Sequence, residues 1–123
     1  MDRTILYVGI GGFAGSILRY LISILFARYI LIPFPFATLA VNLLGCFAIG
    51  LVLGLTERGG MLEPEMRALI LVGILGGFTT FSAFSYETIR LLQEGAFAYA
   101  GVNILLNVLL GLAATYFAMT LTR

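Results

Sequence analysis

The placement of charge constrains this chain more than any motif does. Its seven basic and six acidic residues bracket long uncharged runs: residues 29–56 and 95–122, 28 residues each, and residues 68–86, 19 residues. A helix needs about 20 apolar residues to cross ~30 Å of hydrocarbon. The runs therefore predict an all-α integral membrane protein with four transmembrane helices, at about 4–26, 37–55, 67–92 and 96–121. The first is interrupted by Arg19, and the second starts after the turn Pro33-Phe34-Pro35. Glu63-Pro64-Glu65 makes a plausible start for the third, with proline in the first helical turn. No length remains for a soluble domain, so residues 1–123 read as a single transmembrane domain.

Composition excludes the other broad classes. Charged residues make up 11% of the chain and hydrophobic ones 61%, against about 25% charged in soluble domains. All the cations are arginine and the net charge is +1, so no basic patch for nucleic acid can be assembled. The single cysteine, Cys46, excludes a disulfide within one chain. With no histidine, no thiol pair and no buried carboxylate pair, enzymatic chemistry has no carriers. Asp2-Arg3 ahead of an uncharged run resembles the start of a signal peptide. Arg19 and the lack of a small-x-small cleavage pattern argue for a retained span.

Four spans put both termini and the 2–3 loop on one side, with Arg3, Arg58, Arg67 and Arg123. Arg28 and Arg90 lie on the other, with Arg19 if it snorkels outward. Four against three is a weak bias where orientation normally follows a clear excess. Short loops that hold few charges account for it, and so does insertion in both orientations. Small residues that let helices approach recur as Gly11/Gly15, Gly50/Gly54 and Gly73/Gly77. Some must pack helices within the chain. A path through one four-helix protomer would leave little packed core, which favours an oligomer.

The third span carries the chemistry. Gly76-Gly77 followed by Thr79-Thr80 is the least helix-prone stretch in any span. One reading is a helix broken near mid-membrane, its freed carbonyls facing protein, water or an ion, with glycines at angles alanine resists. The other is a glycine pair permitting a close crossing. Phe81 and Phe84 then share one face at i, i+3, with Ser82 and Ser85 beside them.

The run Gly76-Gly77-Phe78-Thr79-Thr80-Phe81-Ser82-Ala83-Phe84-Ser85 with Glu87 resembles the signature of the CrcB family, the Fluc-type fluoride channels. Gly11-Gly12 through Gly15 to Arg19-Tyr20, and Pro35, Thr38 and Asn42 through Gly45, extend the likeness over the whole chain. The resemblance implies an antiparallel, dual-topology homodimer in the cell inner membrane, with two fluoride pores and a central structural sodium ion. By the same resemblance, main-chain oxygens of Gly76 and Thr79 from both subunits hold that sodium, and Phe81 and Phe84 line each pore. An aromatic ring is electropositive at its edge, so it can face an anion that must also be released. Asn42 corresponds to the asparagine at the pore mouth, and Ser82 and Thr115 to hydroxyls along the path.

Two departures stand out. Ala83 replaces the usual threonine. On the fourth span Asn103, Asn107, Gly111 and Thr115 recur every four residues, where the family often has tyrosine or serine at the first three. Asn107 is thus a candidate for the anion path, with interhelical hydrogen bonding as the alternative for both asparagines. Arg19 corresponds to a family arginine near the aqueous vestibule, with snorkelling as the plain alternative. Glu87 corresponds to a family acid; as a carboxylate repels fluoride, it is expected to bind hydroxyls or an amide at a pore mouth. A small multidrug antiporter, also built of four spans, would need an acid in the first span and is helped by tryptophan. This chain has neither.

Overall fold

The computed structural model describes residues 2–122. Four helices are long and apolar enough to cross a membrane: Arg3–Tyr29, Phe36–Glu57, Pro64–Gln93 and Phe97–Thr122. Among the described residues every regular element is helical. The chain is a multi-pass membrane protein. Arg123, which enters the orientation count, lies outside the described residues.

We label Arg3–Tyr29 α1 and Phe36–Glu57 α2. The third membrane helix comprises α3 (residues 64–78) and α4 (Phe81–Gln93), and the fourth, Phe97–Thr122, is α5. Asp2 caps α1, its carboxylate accepting from the Thr4 amide. Being fully exposed, it feels mainly that hydrogen bond, which lowers its pKa. α3 begins as expected, with Glu63 at the N-cap and Pro64 in the first turn. α2 and α4 both end in a Schellman turn. Gly60 donates to the Leu55 carbonyl and Ala96 to the Leu91 carbonyl, and the positive φ this needs falls on Gly59 (94°) and Gly95 (77°).

Packing within the chain runs through glycine. Gly11 lies against Gly73, where an added Cβ on Gly73 would stand 2.9 Å from the Gly11 Cα. Gly15 abuts the backbone of Ile74 and Phe78. Gly50 and Gly54 of α2 meet Thr115, Ala118, Met119 and Thr122 of α5. All three glycine pairs are thus engaged inside one protomer, α1 on α3 and α2 on α5. The buried set is small, with Val41, Ala100 and Ala118 at its centre. Large side chains such as Leu6, Ile10 and Phe13 face outward, which suits a chain whose solvent is hydrocarbon.

Two π-helical segments, Ala68–Ile74 in α3 and Leu106–Leu110 in α5, interrupt the α pattern. Such wide turns shift the faces of the flanking residues and often adjoin functional sites. Sequence pattern gives no sign of either.

Candidate functional site

α3 stops at Phe78. Thr79 (φ −83°, ψ 158°) and Thr80 (φ −150°, ψ 111°) are extended, and α4 resumes at Phe81 with the Thr80 hydroxyl accepting from the Ala83 amide. Gly76 and Gly77 are helical and neither has a positive φ. The expectation that these glycines adopt angles alanine resists is therefore corrected. Glycine is needed at 77 for proximity, because Gly12 of α1 lies against it. The β-branched threonines are the residues that leave the helix, as their propensity allows.

Three of the backbone groups released here are taken up by side chains. In a continuous helix the Thr80 N–H would bond the Gly76 carbonyl. It goes instead to Asn42 Oδ1 at 2.8 Å, while Asn42 Nδ2 donates to the Thr80 carbonyl at 3.2 Å. One side-chain amide thus holds both polar groups of Thr80, as a neighbouring strand would. The Gly77 carbonyl accepts from Arg19 Nε at 3.1 Å. Arg19 is therefore bound to the end of α3, which goes beyond plain snorkelling. Arg19→Leu is expected to lower the thermal stability of the solubilised protein by about 1 kcal/mol, the order of cost of leaving a part-buried acceptor unpaired. Unchanged melting would show that this bond carries no weight.

A cavity of about 360 Å³ opens at the extended residues. Its lining includes Asn42, Gly76, Thr79, Phe81, Phe84 and Asn107, so six of the residues singled out by sequence converge on one space. The Phe81 and Phe84 rings lie 5.5 Å apart at 54°. Phe84 is 9% exposed and Phe81 79% exposed on the free face of the protomer. Gly76 is also exposed, so this rim of the cavity faces outward. Gly76 and Thr79 are among the lining residues, and the Gly76 carbonyl is relieved of its usual helical donor, Thr80 N–H. Main-chain oxygens are hard ligands, which suit hard cations better than soft ones. Among the described residues no cluster of His, Cys, Asp and Glu could hold a metal ion.

The remaining candidates lie elsewhere. Ser82 is exposed, its hydroxyl 3.3 Å from that of Thr80. The Thr115 hydroxyl donates to the Cys46 carbonyl at 3.0 Å and ties α5 to α2. Glu87 lines a second cavity of about 290 Å³ with Phe34, Arg90 and Glu94. It accepts from the Thr38 hydroxyl at 2.8 Å, the kind of partner expected for it. Phe84 and Glu87 are i, i+3 neighbours on α4, so the second cavity opens one turn beyond the first. Sequence reasoning missed Thr80 as the pivot of the site and Cys46 and Gly45 as lining. The only signal for Thr80 was its low helix propensity.

The family model described as CrcB-like protein, Camphor Resistance (CrcB), matches residues 6–119. The chain belongs to this family. It is 40% identical over 121 residues to the fluoride-specific ion channel FluC of Flavobacterium psychrophilum, covering 98% of both chains. Identity is 48% over 117 residues to FluC of Shewanella frigidimarina, covering 95% of this chain and 94% of the relative. It is again 48% over 110 residues to FluC of Elusimicrobium minutum, covering 89% and 85%. The CrcB match spans all four membrane helices, so the cavity lies wholly inside the shared region.

Proposed function

We propose that the chain is a passive fluoride channel of the inner membrane, working as an antiparallel homodimer with two pores and a structural sodium ion between the subunits. The observation that carries this reading is the cavity at Thr79-Thr80. There an aromatic pair, two asparagines and the extended threonines meet, in a family whose relatives are named fluoride-specific channels. Phe81 and Phe84 present ring edges to the ion, weakly enough for release. Ser82 adds an exposed hydroxyl beside Thr80. Glu87, at the next turn, accepts from the Thr38 hydroxyl through one of its oxygens. Gly76 and Thr79 hold the sodium through their carbonyls, and its charge offsets that of anions nearby. The exposed Phe81 and Gly76 fit a face that a second subunit covers.

Fluoride efflux from proteoliposomes, with chloride for comparison, tests the reading. Fluoride flux far above chloride flux is expected, and a well-folded protein that passes no fluoride ends the channel assignment. The topology has its own check. A cysteine added at the C-terminus of a Cys46→Ala variant should label with impermeant reagent from both sides of the cell membrane. Labelling from one side alone defeats the antiparallel dimer and the shared sodium site with it.

A further inference from the structure

Asn42 does not act by itself. Its Nδ2 donates to Asn107 Oδ1 at 2.9 Å as well as to the Thr80 carbonyl, and its Oδ1 is taken by the Thr80 amide. Both amide hydrogens of Asn107 are directed at Asn103, at its carbonyl and its Oδ1, each at 2.9 Å. Asn103 is 0% exposed, and its Nδ2 donates to the Thr88 hydroxyl at 3.0 Å. That hydroxyl donates in turn to the Phe84 carbonyl at 2.7 Å. One directed chain of hydrogen bonds therefore joins the pivot of the site, Thr80, to the backbone of the pore aromatic, Phe84, through three asparagines on two helices.

The polarity of this chain has consequences. An amide can be turned end for end with little change in shape, and its bonding partners decide which end points where. Asn107 offers Asn42 only an oxygen, because both of its hydrogens are committed to Asn103. Asn42 must then present Nδ2 to Asn107 and Oδ1 to Thr80. That orientation draws the Thr80 N–H out of the helix and leaves the Gly76 carbonyl without its usual donor. Asn107 lies within the π-helical turn Leu106–Leu110. Its disturbed ladder is supported by the bond from the Asn107 side chain back to Asn103.

We infer that Asn107 and Asn103 are positioning residues that fix the orientation of Asn42, and through it the extended backbone at Thr79-Thr80, without themselves touching the conducted ion. The inference rests on the channel reading, and it assigns the two asparagines that depart from the usual family pattern to one task. Partly satisfied buried networks are unstable as a unit, so loss at any link propagates.

A double-mutant cycle in the full-length protein, read by fluoride efflux from proteoliposomes, tests this. Asn42→Ala, Asn103→Leu, Asn107→Leu and Thr88→Val are measured alone, and the last three are repeated on Asn42→Ala. Thr88→Val keeps the shape and removes the hydroxyl that accepts from Asn103 and donates to the Phe84 carbonyl, so it serves even where Asn103→Leu does not fold. Singly, Asn103→Leu and Asn107→Leu are expected to lose at least about tenfold in flux, and Thr88→Val about threefold, through loss of hydrogen bonds of the network. In the Asn42→Ala background none should cause a further loss, because the residue through which they act is gone. Additive losses would mean that the asparagines act on the ion directly or only on stability, and would overturn the inference. So would wild-type flux in Thr88→Val together with Asn107→Leu. Absence of fluoride flux in the wild type instead overturns the channel reading, which separates the two failures.

Discussion

Phe81→Ile is expected to cut fluoride efflux by at least about 100-fold, a barrier increase of about 3 kcal/mol, while the protein elutes unchanged in size exclusion. Phe81 is 79% exposed on the protomer and its ring contact is with Phe84, so isoleucine there disturbs little packing within the chain. The substitution keeps an apolar volume and deletes the ring edge. An anion would then meet a purely hydrocarbon constriction, and such constrictions close pores by dewetting. Phe84→Ile should show a comparable flux loss with some loss of stability, because Phe84 is buried and touches the cavity from inside. The contrast between the two separates ring chemistry from core packing. Near-normal flux in both would return the pair to ordinary packing.

The four crossings were legible because, Arg19 and Glu87 apart, the sequence keeps its charges near helix ends and in loops, and lipid leaves a chain few alternatives. The start of α3 was legible for a local reason, proline behind a capping glutamate. Membership of the CrcB family was legible from the third-span signature, and the family model confirms it over residues 6–119. What pattern could not supply was pairing at long range. Gly11, Gly50 and Gly73 were recognisable as contact residues, yet spacing says only that a helix has a smooth face, not which neighbour it meets. Arg19 and Gly77 are 58 residues apart and Asn42 and Thr80 are 38 apart. No local propensity links such pairs. The π-helical turns escaped as well: the second coincides with the bond from the Asn107 side chain to the Asn103 carbonyl, and no local pattern announces such a bond. The asparagines of α5 left two readings open in sequence, an ion path or interhelical bonding, and their hydrogen bonds now join α5 to both α2 and α4.

Two adjacent glycines offer a sharper test of the outward face of the site. Gly77→Ala is expected to prevent correct assembly. The added Cβ would stand 2.8 Å from the Gly12 carbonyl oxygen, 3.2 Å from its Cα and 3.3 Å from the Ser16 nitrogen. All three are backbone atoms of α1, so relief requires the two helices to separate, at about 1–3 kcal/mol or more. Gly76→Ala makes the same chemical change one residue earlier, where the nearest atom is the Leu71 carbonyl oxygen at 3.8 Å. Gly76 is helical with no positive φ, so alanine there should favour the helix by about 1 kcal/mol. Thr79→Ser removes only the methyl seated against Gly45 and keeps the hydroxyl that donates to Leu75, so it should be mild in every assay. Protomer folding, read by helicity and thermal melting in detergent, should therefore fail for Gly77→Ala and survive for Gly76→Ala. Equal melting of the two alanine variants would contradict the α1–α3 packing. Dimer retention and fluoride flux then report on what lies outside the protomer. Since nothing within the chain opposes a methyl group at residue 76, a flux or dimer loss in Gly76→Ala can come only from the face where the second subunit and the sodium ion are proposed to sit. Full flux and full dimer in that variant would leave the sodium site at Gly76 without support.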